Sequence, residues 1–142
     1  MFTGLLTDMT PVYGALDLLV QPSDTEGTPR TVLEAMAHRV PVVATDVGDV
    51  AELLDHGYAG VLIEPNDAEA LASAIVHVLD SPARSQKLSE RAYTRYQRHF
   101  TIEIMRARVH EGYALAVRRA ERRHSGSWSA VTRTSNLCSR RP

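Results

Sequence analysis

Apolar residues open the chain in short, almost continuous runs. Leu16 to Gln21, Val40 to Thr45 and Gly60 to Glu64 have strand length and β-rich composition, and Met1 to Thr3 reads as the end of another strand. Leu16-Asp17-Leu18-Leu19-Val20 and Pro41-Val42-Val43-Ala44 hardly alternate, the pattern of strands covered on both faces. Helix-sized segments separate them. Thr10-Pro11 opens the first, Thr28-Pro29 the second and Asp46 or Gly48 the third, each supplying a cap or a proline at N1. Strand, helix, strand, helix, strand predicts an α/β fold, a partial Rossmann-like parallel sheet flanked by helices.

Beyond Pro65 the period changes. Asn66 and Asp67 cap a helix whose Ala70, Leu71, Ala74, Ile75, Val78 and Leu79 form one buried stripe. Ser81-Pro82 stops it and starts another, which runs toward His99 with Tyr93, Tyr96 and Phe100 as core residues. Thr101 begins a last helix through Ile104, Met105, Val109, Tyr113 and Val117, with Met105, Val109 and Tyr113 spaced as a core stripe, and it ends in the basic stretch Arg118 to Arg123. From Ser125 the chain is rich in Ser, Thr and Arg and poor in large apolar residues, Trp128 and Leu137 standing out. Such a segment cannot repay its ordering entropy by burial. The expectation is a domain over residues 1–124 and a disordered basic tail over 125–142. The chain starts inside an α/β unit, with no strand leading into a glycine-rich loop, and so reads as part of a domain.

At 142 residues, 44% hydrophobic and 23% charged, the composition is that of one globular domain. No apolar run approaches the roughly 18 residues needed to cross a bilayer, and Met1 to Thr10 lacks the marks of a secretory signal, so a cytoplasmic location is expected. Cys138 is a lone cysteine, and the six His show no metal-ligand spacing; neither a disulfide framework nor a metal site is expected. The net charge of -1 conceals two unlike halves. Through Asp80, 13 Asp or Glu face only Arg30 and Arg39; from Ser81 on, 14 Lys or Arg face four Glu. An acidic front half argues against nucleic acid as a partner there, and the basic back half reads first as a solvated helical face.

The chemistry concentrates in Pro22-Ser23-Asp24-Thr25-Glu26-Gly27-Thr28-Pro29-Arg30-Thr31-Val32-Leu33-Glu34, which follows a strand and opens a helix. In parallel α/β folds ligands bind there, beyond the carboxyl ends of the strands. Gly27 permits a tight turn and a close backbone approach, Thr28 can cap, and the amides of Gly27, Thr28, Arg30 and Thr31 are placed to receive a phosphate or sugar oxygen with the helix dipole behind them. Glu34 lies roughly 7 to 8 Å along the helix from Pro29, and Glu26 stays outside its mouth. The two carboxylates bracket the site, and acceptor-only groups suit the hydroxylated rings on either side of a sugar nucleotide's diphosphate. Two plainer readings stand beside this one. Arg30, Glu34 and His38 recur at four-residue spacing, so Glu34 pairs with Arg30 on a wet face, and Glu26 is a helix-start acid. Asp49 likewise reads as a first-turn acid, and Asp17 as a hydrogen-bonded structural one.

The pattern Glu26, seven residues, Glu34 sits inside Pro-Ser-x-x-Glu-Gly-x-Pro-x-x-x-Leu-Glu-Ala-Met-Ala and is followed by Pro41-Val42-Val43-Ala44-Thr45, Val47-Gly48, Gly57-Tyr58-Ala59-Gly60-Val61-Leu62 and Pro65-Asn66-Asp67. This ordered block, from Phe2-Thr3-Gly4 onward, closely resembles the C-terminal, donor-binding domain of the retaining glycosyltransferases of family 4, which have the two-domain GT-B fold. The resemblance weakens after about His99, and Gly48-Asp49 stands where the family commonly has two glycines. It implies that Glu26 is the catalytic-site acid holding hydroxyls of the transferred sugar, that Glu34 holds the nucleotide ribose, and that Gly27, Thr28, Arg30 and Thr31 serve the sugar and diphosphate. It implies a UDP- or GDP-sugar as partner, with no cofactor and no protein-bound metal.

The family's diphosphate-binding Arg and Lys and its acceptor domain lie upstream of the Phe-x-Gly element. The chain is therefore expected to be inactive alone, to associate with a separate acceptor-domain chain or with itself, and to work in the cytoplasm or at the inner face of the membrane. A non-catalytic nucleotide-sugar-binding or interaction module and a related GT-B sugar-nucleotide epimerase are the alternatives.

Overall fold

The computed structural model describes the backbone of residues 4–134 and the side chains of residues 4–123. The expected strand at Met1 to Thr3 lies outside this range. The chain divides after Thr101 into two units. In the first, α1 (Thr10–Gly14), β1 (Leu19–Gln21), α2 (Arg30–Ala37), β2 (Val42–Thr45), α3 (Val50–Leu53), β3 (Val61–Ile63), α4 (Ala68–Leu79) and α5 (Pro82–His99) follow one another. The strands form a parallel sheet in the order β1-β2-β3, with Leu19 opposite Val42 and Val43 opposite Val61.

The α/β class and the parallel order follow the sequence pattern, but the paired ladders are shorter than the apolar runs. Leu16 and Asp17 stand exposed in the turn ahead of β1, so Asp17 is not the structural acid expected within a strand. Burial is also uneven. All four residues of β2 are buried, whereas β1 and β3, each with one strand neighbour among the described residues, are half-buried.

β2 separates two apolar clusters by the period-two alternation of strand side chains. Val42 and Ala44 join Tyr13, Val32, Ala35, Met36, Val50, Leu54 and Ala92 on one side; Val43 joins Val78 and Leu88 on the other. α2 buries Val32, Ala35 and Met36 at helical spacing. On α5 the core-facing stripe is Leu88, Ala92, Tyr96 and Phe100. Tyr93 is displaced from it: its ring lies 4.2 Å beneath the Arg39 guanidinium. That contact helps hold Arg39 in the left-handed region, φ 58, where the chain turns from α2 into β2.

Two expected caps form. Asp67 accepts from the Ala70 amide at 2.8 Å, and Ser81 accepts from that of Arg84 at 3.4 Å. The turn after α3 is held from a distance. Asp55, His56 and Gly57 all have positive φ. Arg95 reaches across from α5, donates to the carbonyls of Glu52 and Leu53, the latter at 2.9 Å, and pairs with Asp55 at 3.0 Å. One guanidinium thus binds the last carbonyls of the short helix and the acid of the turn that follows.

The second unit is α6 (Ile102–Thr134), along which Met105, Val109 and Tyr113, expected in a core, are exposed. Its helical backbone enters the segment predicted as a disordered tail from Ser125, while residues 135–142 lie outside the described range.

Arg95→Ala is expected to lower the unfolding free energy by about 2 kcal/mol in urea titrations, because it removes a part-buried charge-assisted bond to the Leu53 carbonyl together with the bond to Glu52 and the Asp55 pair. Arg95→Lys should recover only part of this, since one ammonium cannot reproduce the fork. A loss below about 0.5 kcal/mol for the alanine variant would refute the strap.

Candidate functional site

At the carboxyl ends of β1 and β2 the backbone leaves the sheet and must be held by something other than strand pairing. Buried Thr45 supplies the first tie, its hydroxyl donating to the Ser23 carbonyl at 2.6 Å. The loop from Pro22 to Thr28 is then locked against the turn after β2. Gly48 adopts φ 55 and packs so closely that a Cβ there would overlap the Glu26 carbonyl. The Asp49 amide donates to the Gly27 carbonyl at 3.1 Å, and the Thr28 hydroxyl donates to the Asp49 carboxylate. Gly48 is thus the glycine that the fold demands here. Gly27 is not in the left-handed region, and a Cβ on it would meet open space. That space is what an approaching ligand needs.

Glu26 is half-buried within this loop and held by its own surroundings. Gln21 Nε2 and Ser23 Oγ both donate to Glu26 Oε1, at 2.6 and 2.7 Å. The other end of the Gln21 amide accepts from the Thr31 hydroxyl at 2.9 Å. A single side chain at the end of β1 therefore connects the loop carboxylate to the first turn of α2. Both bonds to Glu26 fall on one oxygen, and a carboxylate with about four acceptor sites keeps capacity for sugar hydroxyls.

The start of α2 differs from expectation by one residue. Pro29 is the N-cap, with φ −69 and ψ 116, rather than N1, and no side chain caps the helix. Thr28 is the cap expected from the sequence, but its hydroxyl is committed to Asp49. The extended ψ of Pro29 delays the helix, and proline has no side-chain oxygen to offer. Thr28, Arg30 and Thr31 are exposed around this uncapped turn.

One turn into α2, Glu34 is engaged on both oxygens. Arg30 lies 3.6 Å from Oε1, the pairing of the plainer reading, with the Arg30 side chain 88% exposed. A pair so open to water contributes at most a fraction of a kcal/mol. The stronger partner is Tyr13, whose hydroxyl donates to Oε2 at 2.8 Å. Tyr13 is 4% exposed, and its ring stacks on His38 at 5.1 Å. Burial, then the bond to Glu34 and its negative charge, push the Tyr13 hydroxyl up to about 12.

Beside the loop, Pro22, Asp24, Thr45, Asn66, Asp67, Ala68 and Leu71 line a cleft of about 330 Å³. It opens at the ends of the strands, where an α/β sheet receives ligands. Among the described residues, no His, Cys, Asp and Glu side chains gather in threes as a metal would need, and no helix is long and apolar enough to cross a membrane.

Known proteins share the sequence and the fold of this chain. A family model described as "Glycosyl transferases group 1" matches residues 1–81. The chain belongs to that family. It is 40% identical over 105 residues to the lipopolysaccharide core biosynthesis mannosyltransferase LpsB of Rhizobium meliloti, covering 72% of this chain and 30% of that protein. The structure of Anabaena Alr3699/HepE in complex with UDP and glucose superposes with a TM-score of 0.75 at 26% identity, over 80% of this chain and 31% of that one. The C-terminal domain of a glycosyl transferase group 1 protein, LpcC of Francisella tularensis, superposes with a TM-score of 0.63 at 28% identity, over 71% and 53% of the two chains. The fold is accordingly that of GT-B glycosyltransferases, and the chain spans about 30% of the length of the curated relatives it matches.

Within this family member, Gln21, Ser23 and Tyr13 are the side chains that sequence reasoning passed over. Gln21 carried a readable signal, a polar residue ending an apolar strand. Tyr13 carried none, because its meeting with Glu34 spans 21 positions and is made by folding.

Gly48→Ala is expected to cost about 2 kcal/mol or more, combining left-handed strain with the clash on the Glu26 carbonyl. Thermal melts would read it, and an unchanged midpoint would show that the two loops are not locked. Tyr13 generates an alkaline prediction. Its hydroxyl keeps the proton to higher pH in the folded chain than in the unfolded one. The stability it contributes is therefore complete below about pH 10 and lost as pH rises through about 12, on the order of 2 kcal/mol in all. Denaturant titrations across that window should show Tyr13→Phe declining less steeply than the parent; parallel curves would contradict the assignment.

Proposed function

We propose that this chain is the C-terminal, donor-side part of a family 4 retaining glycosyltransferase and that the 22–34 segment binds a nucleotide-diphosphate sugar. One observation carries the reading: two carboxylates, each held by its own scaffold, stand on either side of an uncapped helix start. Glu26 takes hydroxyls of the transferred sugar from the loop side, beside the open space at Gly27. Glu34 takes the ribose hydroxyls from the helix side. The first-turn amides of α2, including those of Arg30 and Thr31, receive the diphosphate, with the roughly half positive charge of the helix start behind them. Arg30, highly exposed and paired only weakly, is free to turn toward the phosphates. The complex of Anabaena Alr3699/HepE with UDP and glucose supports a nucleotide sugar as the ligand class.

Transfer requires charge stabilisation on the departing diphosphate, and a single well-placed partner in such a transition state is worth roughly 3 to 4 kcal/mol. The described site brings one guanidinium, Arg30, to the helix mouth. We therefore propose that catalytic competence needs both the diphosphate-binding cations that the family carries upstream of the Phe-x-Gly element and an acceptor domain, and that this chain alone binds donor without turning it over at a normal rate.

Titration calorimetry with UDP, GDP and their sugar conjugates tests the binding assignment. Glu34→Ala should weaken nucleotide binding about tenfold, or about 1.4 kcal/mol. Glu26→Ala should weaken the sugar conjugate while leaving the bare diphosphate nearly unaffected. Equal affinity of parent and Glu34→Ala for every ligand would remove the ribose assignment.

A further inference from the structure

Glu34 is not left to choose its own direction. Its side chain is 38% exposed, so water alone could solvate the carboxylate. Instead a hydroxyl from α1, a short element with no other polar role at the site, reaches Oε2 at 2.8 Å. The phenol is fixed on every side. The ring is buried in the apolar cluster with Val32, Ala35 and Met36 of α2, and its face stacks on His38 with an interplanar angle of 17°. His38 is tied in turn to α2, with Nδ1 2.8 Å from the Glu34 carbonyl oxygen.

We propose that Tyr13 is a positioning residue that holds Glu34 Oε2 and so presents the rest of the carboxylate to the ribose hydroxyls of a nucleoside diphosphate. The proposal rests on the assignment of Glu34 to the ribose. A carboxylate has about four acceptor positions, and Tyr13 uses one, leaving Oε1 and part of Oε2 for a vicinal diol. The bond removes rotamer freedom before the ligand arrives, so less ordering remains to oppose binding. Because the hydroxyl stays protonated to about 12, it is a donor wherever Glu34 is an acceptor. A packing role alone would need only the ring.

The test uses the full 142-residue chain and four probes: UDP, GDP and the 2′,3′-dideoxy analogue of each. Tyr13→Phe keeps the ring and its stacking and removes only the hydroxyl. It should weaken binding of the ribose nucleotide about five- to tenfold and leave the dideoxy analogue unchanged. In the Glu34→Ala background the same substitution should have no further effect. A probe on the unaltered chain guards against a variant that folds poorly: with tyrosine labelled at Cζ, the Tyr13 resonance should shift on adding the ribose nucleotide and not the dideoxy form.

Unchanged or tighter binding by Tyr13→Phe, with Glu34→Ala still weakened, would overturn the positioning role and leave the ribose assignment standing. Equal losses for ribose and dideoxy ligands would reduce Tyr13 to a structural residue. No effect of Glu34→Ala, or no binding by the parent chain, would overturn both.

Discussion

The contact between the Glu26–Gly27 carbonyls and the Gly48–Asp49 turn is the constraint from which the rest of the site follows. Two loops leave neighbouring parallel strands, and neither has strand pairing to hold it. They hold each other. Gly48 approaches the Glu26 carbonyl too closely for any side chain, and the Asp49 amide and carboxylate bind the Gly27 carbonyl and the Thr28 hydroxyl. Backbone groups do much of this, so the loop's path is set while the Glu26 side chain stays available. The same contact explains why Thr28 does not cap α2. Its hydroxyl has been drawn to Asp49, and the helix start is left open.

From that lock the two carboxylates are positioned by different means. Glu26 is held locally, by Gln21 at the end of β1 and Ser23 in the same loop. Glu34 is held at long range by Tyr13, which the core fixes in place. Glu34 thus keeps contact with water while buried Tyr13 sets its orientation, and half-buried Gln21 and Ser23 set that of Glu26. Preorganisation of that kind lowers the ordering cost of binding, as the nucleotide-diphosphate sugar proposed for this site would require.

The sheet and helices behind the site are arranged to deliver these ends of strands. β2 is buried throughout and sends Val42 and Ala44 to one cluster and Val43 to the other, so it anchors both covering layers. α5 ties down the turn after α3 through Arg95, which donates to the Glu52 and Leu53 carbonyls. The basic back half of the sequence meets the acidic front half here where Arg95 pairs with Asp55, and Arg91 lies over the Tyr58 ring.

The sequence by itself determined the fold class, the order of elements and the caps at Asp67 and Ser81, and it singled out residues 22–34 as the candidate site. Those features depend on local periodicity and on residues a few positions apart, which a chain displays without folding. The motif around Glu26 and Glu34 also made the family legible. Tertiary structure decided what touches those acids. It gave the demanding backbone role to Gly48 rather than Gly27, moved the helix start past Pro29, and brought Tyr13 to Glu34 across 21 positions. It also exposed Met105, Val109 and Tyr113, whose spacing alone suggested a core. Spacing reports which residues share a face of an element; which partner meets that face depends on packing among elements distant in sequence, and no local pattern encodes it.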